Sequence, residues 1–289
     1  MSLEASELIL NKDGSIYHLG LLPEEIASTI ITVGDPARVP KISTHFDTIE
    51  VKKQKREFCT HTGTYKGKRI SVMSTGMGTD NIDIALNELD ALVNIDLKAR
   101  TLKDKVTSLD IIRIGTTGSL RKEIPVGSYI LSELAIGFDG LMHYYEDDSF
   151  LNNEIAEAFV EQTGWPTKRA FPYVVEGARK LIEKLHSDII VQGMTGTNVG
   201  FYGPQGRILR ANVSDSEMND KITAFSYDRF KVTNLEMETS GIYGISKLLG
   251  HNAASMNLVL ANREIGDFLE NASEMMEKLI IYTLNKIAE

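Results

Sequence analysis

A single cysteine, Cys59, stands in 289 residues, so no intrachain disulfide can form. The chain fits a reducing cytoplasm, and Cys59 reads as a small filler side chain because nothing near it in sequence looks like a base tuned to it. No apolar run reaches the ~18 residues that a membrane span needs. Residues 1–11 carry Glu4 and Glu7 and no basic stretch, so this end is not read as a signal peptide. Positive charge is in deficit: 40 acids against 31 lysines and arginines give −9, which excludes a general binder of nucleic acid or acidic membranes. Any anion site must then be a local arginine cluster. There is no Pro/Ser-rich linker, no low-complexity tract and no internal repeat, and one domain over residues 1–289 is the simpler reading.

What is present is alternation. Apolar strand-like runs lie near 29–33, 69–75, 109–114, 128–136, 188–194, 231–236 and 254–260. Helix-like amphipathic stretches lie near 80–97, 152–163, 175–185, 239–249 and 270–287. In the last of these, Met275, Met276, Leu279, Ile280 and Leu284 fall at helical spacing and read as core packing. Strand–helix alternation predicts an α/β sandwich with a largely buried sheet. The segment Gly140–Tyr173, rich in aromatics and acids, is expected to form a surface excursion beside the site.

Two stretches carry chemistry. Gly34-Asp35-Pro36-Ala37-Arg38 follows the apolar run Ile30–Val33, and Arg113-Ile114-Gly115-Thr116-Thr117-Gly118 follows Leu109–Ile112. Each reads as a buried strand ending in a glycine-bearing turn with an arginine at its mouth. Such turns offer backbone N–H groups and a fixed cation to a small anion. A buried arginine demands a partner, and its planar fork suits an oxyanion. Ligands of open α/β sheets sit beyond the carboxyl ends of strands, where these glycines fall. Neither stretch is a P-loop, since the Lys-Ser/Thr pair is missing, and Gly76-Met77-Gly78 is only a fragment of a dinucleotide fingerprint.

Farther along, Asn234-Leu235-Glu236-Met237-Glu238 brackets a methionine with two acids just before a helix. With the two glycine-bearing stretches in the same order, the chain resembles the nucleoside phosphorylase family, in its uridine phosphorylase branch. The likeness runs from Tyr17-His18-Leu19-Gly20-Leu21 to Ala261-Asn262-Arg263. It implies an α/β three-layer sandwich whose central mixed sheet is partly barrel-like and flanked by helices. It implies a phosphate site of Gly34, Arg38, Arg113 and Thr116, joined by Arg56 from a neighbouring subunit. Ribose contacts fall to Glu236, Met237 and Glu238, with His18 supplied by the neighbour. A carboxylate such as Glu238 suits the two donors of a cis-diol.

The base pocket implied by the same likeness is Phe201, Gln205, Arg207 and Arg263. Gln205 offers donor and acceptor to a uracil edge, and Arg207 donates to its carbonyl. The purine branch places a Ser-Asp pair where this chain has Val259-Leu260-Ala261-Asn262-Arg263, and the Asp is missing here. Leu235 stands where many bacterial relatives have Tyr. The relatives' intersubunit monovalent cation uses a Glu that is kept as Glu57 and a Ser that is replaced by Asn81, so no metal ligand is assigned beyond Glu57.

The activity implied is reversible phosphorolysis of uridine to uracil and ribose 1-phosphate, with deoxyuridine and thymidine left open. Arg113, Arg207 and Glu238 are the expected catalytic residues, and phosphate is a co-substrate with no cofactor. A homo-oligomer, dimer or hexamer, follows from a site shared across a dimer interface. Three alternatives stay open: a purine or methylthio-nucleoside phosphorylase, a hydrolytic nucleosidase, and a non-catalytic nucleoside-binding protein.

Overall fold

The structure is a computed structural model that describes residues 2–289; Met1, where the single-domain and leader readings begin, lies outside the described residues. Its first strands are β1 (Thr29–Val33), β2 (Thr48–Lys55), β3 (Phe58–Tyr65), β4 (Lys68–Ser74), β5 (Ile95–Asp96) and β6 (Thr101–Leu102). There follow β7 (Asp110–Ser119), β8 (Tyr129–Gly137), β9 (Tyr173–Glu176), β10 (Ile190–Thr197), β11 (Val232–Glu236), β12 (Asn252–Asn262) and β13 (Asp267–Phe268). The helices are α1 (Arg38–Ser43), α2 (Thr79–Asn94), α3 (Asn153–Thr163), α4 (Arg179–Leu185), α5 (Met218–Ala224), α6 (Thr239–Leu248) and α7 (Ala272–Ala288).

The main sheet is mixed and closes partly on itself. Strands β7, β12, β8, β10 and β11 form a circuit, because β11 returns to pair with β7 at Leu235–Gly118. From β7 the sheet runs outward through β1, β4, β3 and β2. Period-two alternation sends neighbouring side chains to opposite faces. Ile30 and Ile111 face α2 and α6, packing with Ile82, Leu86, Leu89, Ile242 and Ile245. Ile31 and Ile112 face the other way, onto Leu181 and Leu185 of α4 and Met276, Leu279, Ile280 and Leu284 of α7. The architecture is therefore the three-layer α/β sandwich with a barrel-like sheet.

Several local expectations need correction. Strand β7 does not end before Gly115 but runs on to Ser119, because β12 pairs with it in register as far as Asn262–Ser119. Between 175 and 185 the chain is first a strand, β9, held antiparallel to β8, and only then the helix α4. The hairpin of β2 and β3 goes unrecognised in sequence, since β2 alternates charged and half-exposed positions without an apolar run. The Gly140–Tyr173 segment is not an excursion at the site. It contributes α3, whose Phe159 is fully buried, and Trp165, which stacks on Phe138 at 4.8 Å. Helix α3 starts where Asn152 accepts a bond from the Ile155 amide and stops at left-handed Gly164.

Candidate active site

The carboxyl ends of β1, β4, β7, β11 and β12 surround one cavity of about 560 Å³. Gly34 and Arg38 enter it from the turn after β1, Arg113 and Thr116 from β7, and Glu236, Met237 and Glu238 from the end of β11. The loop after β10 adds Phe201, Gln205 and Arg207. Residues separated by two hundred positions in sequence thus share one space.

Arg113 is the centre of its charge. Its side chain is 6% exposed and donates to Glu238 Oε2, to Asn257 Oδ1 and, at 3.2 Å, to Glu236 Oε2. Burial alone would depress this guanidinium, but Glu236 and Glu238 pull it above its ordinary range, so it stays charged. Room for it comes from Gly115. A Cβ there would lie 1.7 Å from Arg113 Nη1 and 2.3 Å from its Cζ, so any side chain would evict the guanidinium. Arg38 reaches the same cavity and donates to the Ile114 carbonyl at 3.1 Å. Burial first, and then the like charge of Arg113, hold Arg38 below its ordinary value. A buried and a half-buried cation lining one cavity favour an anion between them.

Glu236 and Glu238 have different duties. Glu236 Oε1 accepts from Thr197 Oγ1 at 2.6 Å, and its Oε2 accepts the amides of Glu238 and Thr239 at 2.9 Å each. It caps α6 and holds Arg113, and its oxygens are taken up by the protein. Glu236 lines the cavity, and the ribose contact expected of it would have to compete with these donors. Glu238 Oε1 accepts the Gly78 amide at 2.9 Å, and its other oxygen meets Arg113 at the cavity wall.

In the same cavity Arg207 lies 3.8 Å over the Phe201 ring and donates to Gln205 Oε1 at 2.5 Å. Burial first, then Arg263, pushes Arg207 down to about 10. Burial also lowers Arg263, whose stem lies over the position of Gly118 and whose Nη1 has no partner among the described residues.

Three expected residues do not line this cavity. Arg263 packs its stem at the cavity-lining Gly118 without being part of the lining itself. Arg56 is exposed, at left-handed φ 53° in the turn between β2 and β3, while the adjacent Glu57 does line the cavity. His18 is held on the surface of α2, its Nδ1 2.7 Å from Glu88 Oε1. Residues missed in sequence include Met77, Leu260 and Phe268 on the cavity wall. Phe268, 66% exposed on the short strand β13, gave no sequence signal beyond being a lone aromatic in a turn. Cys59 is buried in β3 and its thiol is pushed up by burial, which leaves it inert.

The phosphorylase superfamily matches this chain over residues 28–285. The solved structure of a Trypanosoma brucei nucleoside phosphorylase that shows uridine phosphorylase activity is similar at a TM-score of 0.84 and 31% identity, over 96% of this chain and 99% of that one. The uridine phosphorylase of Thermococcus kodakarensis is 29% identical over 266 residues, which is 89% of this chain and 81% of its own. The DeoD-type purine nucleoside phosphorylase of Clostridium novyi is 28% identical over 273 residues, 94% of this chain and 96% of its own.

Proposed function

This chain belongs to the phosphorylase superfamily, and from that premise we propose that it is a uridine phosphorylase, cleaving uridine with inorganic phosphate to uracil and ribose 1-phosphate. The observation that carries the reading is that one cavity is lined by two kinds of side chain: the cations Arg38 and Arg113 with Thr116 and the carboxylate Glu238 bound to Arg113, and the cluster in which Arg207 stacks on Phe201 and donates to Gln205. Those two sets suit a phosphate and a pyrimidine, and Glu238 suits the ribose joining them.

Phosphate lies against Gly34, Arg38, Arg113 and Thr116, and Arg56 of the partner subunit completes its cage. Glu238 turns an oxygen to the 2′ and 3′ hydroxyls, Met237 packs on the sugar, and His18 of the partner subunit meets the ribose. Uracil lies against Phe201, its edge read by Gln205 and Arg207, with Arg263 packed at Gly118.

Cleavage sends the C1′–N1 electron pair onto the uracil, whose carbonyl oxygens spread the charge. A phosphate oxygen forms the new bond to C1′ from the opposite face, so the sugar carbon inverts and no covalent enzyme intermediate forms. Uracil then takes up, through water, the proton that the hydrogen phosphate gives up as the ribose 1-phosphate dianion. Arg207 and Gln205 stabilise the departing anion, and a preplaced donor of this kind is commonly worth about 3 kcal/mol. Phosphate is a co-substrate, no cofactor is required, and Glu57 is the residue through which a monovalent cation at the subunit boundary would be held. The working form is a homo-oligomer in the cytoplasm, consistent with one buried, unreactive cysteine.

A nucleoside panel followed by ultraviolet absorbance tests the reading. Uridine should be consumed at a rate at least about tenfold above inosine, the discrimination expected from one misplaced polar contact. Inosine turnover without uridine turnover would move the chain to the purine branch. Tight uridine binding without product in excess phosphate would make it a binding protein.

A further inference from the structure

Arg113 has one uncharged side-chain partner, and the proposed reaction does not use it. Its Nη1 donates to Oδ1 of Asn257, a fully buried residue on β12, the strand in register beside β7. Asn257 in turn donates through Nδ2 to Ser255 Oγ at 3.1 Å, and Ser255 Oγ lies 2.9 Å from Thr239 Oγ1. The Thr239 amide donates to Glu236, and Glu236 returns to Arg113 Nη2. These five residues close a hydrogen-bonded ring, and every member is buried. Tyr243 braces it from outside, its hydroxyl accepting the Ser255 amide at 2.9 Å and donating to the Ser132 carbonyl at 2.7 Å.

The two ends of the guanidinium thus differ. Nη2 meets Glu236 and the cavity-lining Glu238, and it is the end for which a phosphate would compete. Nη1 is held by a neutral amide on the side of the neighbouring strand. We propose that Asn257 is a positioning residue for the phosphate arginine: it fixes Nη1 of Arg113 so that Nη2 alone exchanges Glu238 for phosphate. The amide is the right chemistry for this task. A third carboxylate would also accept from Nη1, but it would further neutralise the cation and compete with the incoming anion. An apolar side chain would leave a buried donor unpaired and free the guanidinium to settle wholly on its acids. Asn257 supplies the acceptor without the charge.

This rests on reading the cavity as a phosphate site, and the test keeps the two apart. Asn257→Asp and Asn257→Leu are made in the full chain, and inorganic phosphate binding is measured by calorimetry alongside the KM for phosphate and for uridine. Asn257→Asp preserves shape and adds charge; Asn257→Leu preserves approximate volume and removes the acceptor. Both should weaken phosphate by about tenfold or more, the effect of losing or neutralising one hydrogen bond to a charged group. The uridine KM at saturating phosphate should stay within about twofold, since neither change touches the base or sugar contacts. Unchanged phosphate affinity in a folded Asn257→Asp protein overturns the proposal. So does a parallel rise in both KM values with a lowered Tm, which is the signature of general loosening. If the unsubstituted protein itself fails to bind phosphate, the site reading falls and the anchor with it. If it binds phosphate but does not cleave uridine, only the substrate reading falls, and the phosphate comparison still decides the role of Asn257.

Discussion

At the scale of single residues, the site is organised around the absence of one carbon. Arg113 and Gly115 are two positions apart on β7, so their side chains would point to the same face. The guanidinium folds back into the space that a Cβ at Gly115 would fill. Gly115→Ala should therefore move the arginine bodily rather than strain the strand. Its expected cost is about a hundredfold in kcat/KM, comparable with losing a preplaced charge donor, with the far-ultraviolet spectrum unchanged. Near-normal turnover would show that Arg113 has room elsewhere. The motif Arg-Ile-Gly-Thr-Thr-Gly is legible as an anion feature in the sequence, but this reason for its glycine is not. The sequence reads as a turn, and only the register of β12 against β7 reveals a strand with a side chain laid across it.

At the scale of elements, one segment joins β11 to α6 and splits its two acids between structure and chemistry. Glu236 caps the first turn of α6, where amides and the helix dipole favour an anion. Glu238 lines the cavity beside Met237. The two substitutions should separate cleanly. Glu236→Gln should lower unfolding free energy by about 1–2 kcal/mol, the usual cost of weakening a buried cap with charge. Glu238→Gln should leave stability closer to the parent and raise the uridine KM about tenfold, by removing an acceptor from a diol. Chemical denaturation and steady-state kinetics on both proteins check the pair. Loss of uridine affinity in Glu236→Gln with full stability would reverse the assignment. Legibility also divides by element. Strands β1, β4, β7, β8, β10, β11 and β12 announce themselves because they are buried on both faces and read as apolar runs. The β2–β3 hairpin does not, because Lys52, Lys53 and Lys55 sit on a half-exposed strand. Strand β9 hides because Val174 and Val175 merge with the apolar spacing of α4.

At the scale of the whole molecule, the cavity and the residues outside it tell one story. Arg38, Arg113 and Arg207 converge within one chain, whereas Arg56 and His18 stay on its surface. An account in which neighbouring subunits exchange these two residues makes a sharp claim about mixtures. Arg56→Ala and Arg207→Ala proteins should each be nearly inactive. Mixed in equal amounts and allowed to exchange subunits, they should regain about a quarter of parental activity, because about half of the dimers are then mixed and one of the two sites in each is intact. No recovery despite confirmed exchange would confine the site to one chain. Sequence order alone reveals which motifs belong together. It does not show that Arg113, Glu236, Thr239, Ser255 and Asn257 close a ring, since their contacts span three strands and a helix. The central claim, a phosphate held by arginines beneath a bound pyrimidine nucleoside, is tested most directly by the rate of uracil release from uridine as phosphate is titrated from zero. The account predicts no release without phosphate, a saturating rise with it, and one ribose 1-phosphate formed per uracil. Release that is independent of phosphate, with free ribose as the product, would contradict it.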